Sequence, residues 1–154
     1  MRILMVCLGN ICRSPLAEGM LRHKIVERGL PWEVDSAGTA KDHAGSPPDS
    51  RMIQTAQKAG IDLTSLRARQ FTSADFQRFD RIYVMDHRNR DNVLSLAKQD
   101  SDRHKVALLL NHLNPNESAE VPDPYYGNTE DFQQVLALVD AATEALINDL
   151  SHEH

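Results

Sequence analysis

The order of apolar and polar residues predicts strands alternating with helices. Arg2 to Cys7 reads RILMVC, a continuous apolar run of strand length, as expected for a strand covered on both faces. Ser14 and Pro15 then open a helix. Ser14 suits the N-cap, and Pro15 suits the first helical position, where its missing N–H is no loss. Leu16, Ala17, Met20, Leu21 and Ile25 form its apolar stripe, and Gly29 ends it. Trp32 to Ser36 reads as a second strand, followed by Ala37-Gly38-Thr39 and a loop. Asp49 can cap a helix carrying Met52, Ile53 and Ala56 that stops at Gly60. Arg81 to Asp86 (RIYVMD) is a third strand, Arg88 to Lys98 a helix, and Lys105 to Leu110 (KVALLL) a fourth strand. Residues 111–128 are rich in Asn and Pro and lack periodicity, so they read as a long loop of the kind that often carries function. Phe132, Val135, Leu136, Val139, Ala142, Leu146 and Leu150 then follow the helical period to the end of the chain.

This alternation implies right-handed crossovers and an α/β fold: a four-stranded parallel sheet with helices on both faces. Ligands of such sheets bind beyond the carboxyl ends of the strands, and the first such end is Cys7. The chain has 154 residues, which suits one domain spanning residues 1–154. A net charge of −5 argues against a nucleic-acid binder but leaves room for a local cationic pocket. Two cysteines, Cys7 and Cys12, are too few for a disulfide framework. No apolar run approaches the ~20 residues of a membrane span, and the N-terminus reads as a strand, not a signal peptide. The expectation is a soluble, cytoplasmic protein without a membrane partner. The histidines at 23, 43, 87, 104, 112, 152 and 154 show no metal spacing, and no nucleotide-binding glycine pattern occurs, so no metal or cofactor is expected.

The segment Cys7-Leu8-Gly9-Asn10-Ile11-Cys12-Arg13-Ser14-Pro15 joins the first strand to the first helix. Gly9 and Asn10 tolerate positive φ, so the backbone can curl and point its N–H groups inward. The helix beginning near Pro15 adds its positive dipole end, and Arg13 offers a planar fork matching two phosphate oxygens. Together these make a phosphate loop, a cradle for a dianion that needs no metal. The same features favour the thiolate of Cys7, to which the Ser14 hydroxyl can also donate, and place it for in-line attack on phosphorus.

The sequence Cys7–Pro15 resembles the phosphate loop of the low-molecular-weight protein tyrosine phosphatases. Asp35-Ser36-Ala37-Gly38-Thr39, Ala68-Arg69-Gln70, Val84-Met85-Asp86 with Asn89, and Asp123-Pro124-Tyr125-Tyr126 extend the resemblance along nearly the whole chain. It implies that Cys7 is a nucleophile forming a cysteinyl-phosphate, and that Arg13 binds the phosphate and stabilises the transition state. The backbone from Leu8 through Gly9, Asn10, Ile11 and Cys12 to Arg13 would bind the remaining oxygens. The Asn10 side chain would hold the loop, and Ser14 would orient the thiolate. Asp123 would be the general acid and then the general base, with Pro122 and Pro124 fixing its direction. Tyr125 and Tyr126 would wall a slot deep enough for a phosphotyrosyl ring. Asp86 and Arg69 match structural positions, and the charges of residues 86–91 read as a solvated helix face. Cys12 is either a small buried side chain or a redox partner forming a reversible disulfide with Cys7.

Two departures from the family stand out. Asp42 occupies a cleft-rim place where many relatives carry a large apolar side chain, which implies altered substrate preference. Leu66 replaces a common His, which removes a hydrogen bond supporting Asn10. The activity implied is a metal-independent protein tyrosine phosphatase acting on phosphotyrosine proteins, a tyrosine kinase among them, as a monomer or weak dimer. Arsenate reduction on the same fold and a non-catalytic phosphopeptide-binding module are the alternatives. The first is disfavoured by the lack of cysteines beyond Cys12, the second by the presence of both nucleophile and acid.

Overall fold

Four strands, β1 (Arg2–Cys7), β2 (Glu33–Gly38), β3 (Arg81–Val84) and β4 (Val106–Leu108), form one sheet in a computed structural model that describes residues 1–152. Glu153 and His154, the last two residues of the 1–154 span, lie outside the described residues. The strand order is β2-β1-β3-β4 and every pairing is parallel, as the alternation of elements predicts. The chain leaves β1 toward one edge and then returns across it to the other. The switch point therefore lies between the ends of β1 and β3, where an open α/β sheet places its ligand.

The helices are α1 (Arg13–Glu27), α2 (Ser50–Lys58), α3 (Asp75–Arg78), α4 (His87–Leu94), α5 (Asp100–Arg103) and α6 (Thr129–His152). Alternation along β1 divides the core between the faces of the sheet. Ile3, Met5 and Cys7 join α1, α2 and α6 through Leu16, Leu21, Met52, Val135, Val139 and Leu146. Leu4 and Val6 face the other way, onto Phe71, Phe76, Phe79, Val93 and Leu108. With both faces covered, β1 is apolar at nearly every position, which is why it reads as an unbroken run rather than an alternating one.

Several element boundaries differ from the sequence reading, each for a local reason. α1 begins at Arg13 with Cys12 at its N-cap, and no side chain caps it. Ser14 is not the cap because its hydroxyl faces Cys7 and Asn10 instead. Pro15 still falls within the first turn, whose N–H groups have no helical partner. β3 stops at Val84 because Met85 accepts a hydrogen bond from Val121 (2.8 Å) and Asp86 becomes the N-cap of α4, accepting from the Asn89 N–H. β4 stops at Leu108, where the chain tightens into a 3-10 turn over Leu109–His112. α4 ends at Leu94, short of Lys98. The one-turn helices α3 and α5 have too few residues for a period and were not legible in the sequence. Asp49 caps α2 as read, its side chain accepting from the Arg51 N–H. The 111–128 segment is irregular but anchored: Val121 is buried, and His87 reaches back to Ser118 and Glu120.

Candidate active site

The loop after β1 wraps around the Cys7 sulfur. The Asn10 N–H lies 3.3 Å from Cys7 Sγ, and Ser14 Oγ lies 3.0 Å from it. A backbone N–H and a hydroxyl thus converge on an atom that is itself buried at the end of a strand. The turn is possible because Asn10 sits at φ 57, a left-handed conformation that Asn tolerates better than most residues. Gly9 is not in that region, contrary to its expected role. It sits in close approach instead: a Cβ there would lie 3.1 Å from the His43 ring, which would have to give by a few tenths of an ångström. The Asn10 side chain staples the turn: Nδ2 donates to Ser14 (2.7 Å) and Ser36 (2.9 Å), and Oδ1 accepts from the Arg69 N–H (3.0 Å). Its polar atoms are all partnered without a histidine at position 66. Leu66 offers no hydrogen bond and packs against the apolar core instead.

Arg13 is 3% exposed and lies across the switch point. One terminal nitrogen donates to Asp86 (2.7 Å) and to the Val121 carbonyl (3.1 Å), and the other is 3.6 Å from Asp123. Burial opposes its charge, but Cys7, Asp86 and Asp123 together outweigh burial and hold the guanidinium above its ordinary value. Asp86 is thus half-buried and paired, and Asn89 is fully buried, so the reading of residues 86–91 as a solvated face is corrected at these two positions. Burial pushes the Cys12 thiol up, with Asp49 and then Cys7 adding to the effect, so this sulfur rests as a thiol.

A cleft of about 210 Å³ opens above these groups. Cys7, Leu8, Gly9, Ile11, Cys12 and Arg13 line its floor, and Asp42, His43, Asp123, Tyr125 and Tyr126 its sides. All the sequence-predicted residues therefore meet in one place, except that Asn10 and Ser14 stand behind the floor and reach the sulfur from below. Tyr125 is half-buried with its ring centroid 6.4 Å from that of His43. Tyr126 packs edge-on against Tyr125 and is 96% exposed, so it extends the wall into solvent rather than lining the slot closely. Sequence reading missed three contributors. His43 was weighed only as a metal ligand, yet it stands opposite Tyr125. Arg51 places its guanidinium 5.5 Å from the centre of the Tyr125 ring and donates to the Tyr125 carbonyl (2.9 Å), fixing the wall. Glu18 looked like one more helix residue, but it is buried behind the loop. The signal for Glu18 was its place in a stretch of α1 otherwise free of charge, between Arg13 and Arg22.

A buried sulfur met by a backbone N–H and a hydroxyl, with a buried arginine and a carboxyl at the rim beside it, makes a pocket suited to a phosphate ester on an α/β sheet. The chain matches the family model for low molecular weight phosphotyrosine protein phosphatase over residues 2–154, belongs to that family, and is a phosphatase. It is 41% identical to a putative low molecular weight protein-tyrosine-phosphatase of Synechocystis sp., covering 99% of this chain and 98% of the relative. The crystal structure of a protein tyrosine phosphatase from Entamoeba histolytica with Hepes in its active site superposes with a TM-score of 0.93 at 36% identity, covering 99% of this chain and 98% of that one. Wzb of Vibrio vulnificus in complex with benzylphosphonate gives a TM-score of 0.85 at 30% identity, with 96% and 97% covered.

Proposed function

We propose that this phosphatase hydrolyses phosphotyrosine in proteins through a cysteinyl-phosphate, with Cys7 as nucleophile, Arg13 as phosphate clamp and Asp123 as general acid and base. The Cys7 thiolate attacks phosphorus as the bond to the phenolic oxygen breaks, and Asp123 gives that oxygen its proton. A water molecule, deprotonated by the same carboxylate, then displaces the sulfur and releases inorganic phosphate. The observation that carries this reading is the convergence of Ser14 and the Asn10 N–H on the sulfur, with Arg13 and Asp123 3.6 Å apart beside it. Charge develops on oxygens that Arg13 and the loop amides can meet, and phosphoryl transfer is mainly positioning and electrostatics.

The slot between His43 and Tyr125 suits an aromatic leaving group, and a phosphoserine side chain is too short to reach the sulfur from the rim. The benzylphosphonate bound by the Vibrio vulnificus relative is such an aromatic ligand. A thiolate nucleophile needs a reducing compartment, which favours the cytoplasm. Phosphotyrosine proteins, a tyrosine kinase among them, are the proposed substrates of a monomeric or weakly dimeric enzyme.

The test is hydrolysis of an aryl phosphate across pH in the presence of a chelator. Activity should survive the chelator. It should vanish in Cys7→Ser and fall about 10²–10⁴-fold in Asp123→Asn. Persistent turnover by Cys7→Ser refutes the mechanism.

A further inference from the structure

Behind the phosphate loop lies a chain of buried polar groups that the reaction itself does not use. Arg22 donates to Glu18 Oε2 (2.5 Å) and to the Val34 carbonyl (2.9 Å). Ser36 donates to Glu18 Oε1 (2.6 Å). Asn10 Nδ2 donates to Ser36 and to Ser14, and Ser14 faces Cys7. Glu18 is 3% exposed, so its carboxylate has been taken out of water without touching substrate. Burial pushes the Glu18 carboxyl up, while the hydrogen bonds from Ser36 and Arg22 and the Arg22 charge pull it back.

We propose that Glu18 is a positioning residue for the nucleophile: its carboxylate accepts the Ser36 proton and thereby orders, through Ser36 and Asn10, the two donors that face the Cys7 sulfur. The argument is one of donor and acceptor capacity. The Arg69 N–H holds Asn10 Oδ1, so both hydrogens of Nδ2 must find acceptors. Ser36 can accept one of them only if its own proton goes elsewhere, and the Glu18 carboxylate takes it. Ser14 accepts the other, which leaves its proton for the sulfur at 3.0 Å, with the Ala37 carbonyl at 3.4 Å the longer alternative. The donations run outward from the Asn10 amide in two arms, through Ser36 to the Glu18 carboxylate and through Ser14 to the sulfur, and within each arm the successive hydrogen bonds strengthen one another. Arg22 is what makes an amide at position 18 a poor substitute. Its charge attracts the amide oxygen and repels the NH2, so a glutamine would turn its carbonyl to Arg22 and its NH2 to Ser36, which leaves the Ser36 proton stranded.

This inference rests on the Cys7 mechanism only for its rate readout, because alkylation of the sulfur is measured without turnover. In Glu18→Gln, alkylation of Cys7 by iodoacetamide, located by mass spectrometry, should slow about tenfold, the worth of one hydrogen bond to a charged group. The kcat for an aryl phosphate should fall by a similar factor, with KM within about twofold. Removing the cation as well, in Glu18→Gln/Arg22→Met, frees the amide to present its oxygen to Ser36 and should recover part of both losses. Ser36→Ala, which keeps Glu18, should show the same slowing of alkylation and serves if the Glu18 variants do not fold. Native-like alkylation in Glu18→Gln or Ser36→Ala overturns the proposal, as does a double variant slower than the single one. If the unmutated protein hydrolyses no aryl phosphate, the mechanism above fails, and the alkylation rates still decide the role of Glu18.

Discussion

Gly38, the last residue of β2, offers a sharp test of how tightly the phosphate loop is held. A Cβ built there would lie 2.7 Å from the Leu8 carbonyl oxygen and 3.1 Å from both the N and Cβ atoms of Asn10. The first distance is well inside van der Waals contact, and two of the three atoms are backbone, so no rotamer change relieves the clash. Gly38 does not have a positive φ, so alanine is allowed by the backbone itself and the perturbation is purely one of volume. Either β2 or the loop must move by several tenths of an ångström. β2 is held along its length by β1, and at Gly38 by Arg69 and Phe71, whereas the loop is held by the Asn10 side chain and by single backbone bonds from Ala40 to Leu8 and from Asp49 to Ile11. The loop therefore yields, shifting the Asn10 N–H relative to the Cys7 sulfur. Overpacking by one methyl should destabilise Gly38→Ala by about 1–3 kcal/mol. Misplacing the loop by even part of an ångström should lower kcat/KM by up to about 10²-fold. The assay pairs denaturant unfolding with steady-state hydrolysis of an aryl phosphate at a temperature where the variant is folded. Activity within twofold of the parent in a folded Gly38→Ala protein refutes the reasoning.

Other substitutions separate folding from catalysis. At Gly19 a Cβ would meet the Leu63 side chain at 2.3 Å, so Gly19→Ala should lose about 1–3 kcal/mol in denaturant unfolding, while kcat/KM changes little because the clash lies away from the loop. Arg51→Met removes the hydrogen bond and ring contact that hold Tyr125, and KM for aryl phosphates should rise more than kcat falls. Hydrogen bonding by Arg51 holds the Asp49 carboxyl below its usual range, so this group adds stability above the unfolded carboxylate value that is lost as pH falls through the folded one. In Asp49→Asn that acid-limb component should disappear from unfolding curves measured between neutral and low pH, while the cap to the Arg51 N–H can persist.

The parts of the molecule governed by period or by a short local motif were legible in the sequence. β1 announced itself because a strand buried on both faces must be apolar throughout, and α6 because its stripe runs the length of the helix. The loop from Cys7 to Pro15 could be read because a phosphate cradle needs its residues consecutively. Other features depend on partners distant in sequence. Asp86 pairs with Arg13 across 73 positions and Val121 with Arg13 across 108, and no local pattern encodes either contact. Ser14 misled as an N-cap because the same hydroxyl can serve a helix end or a sulfur, and only the neighbouring Asn10 and Cys7 decide which. The partners of Asn10 were equally hidden: Ser14, Ser36 and the Arg69 N–H come to it from three separate segments.

The bond from Arg13 to Asp86 and Val121 has a kinetic consequence. A free arginine carries about 2 kcal/mol of rotameric freedom, which a flexible phosphate receptor would surrender at each encounter. Here that freedom is given up once, when the polypeptide folds, and the fork waits already aimed. The same tether ties the segment carrying Asp123 to the cation beneath it. In the mechanism proposed above, an incoming dianion therefore finds its counter-charge and its proton source mounted on a common bracket.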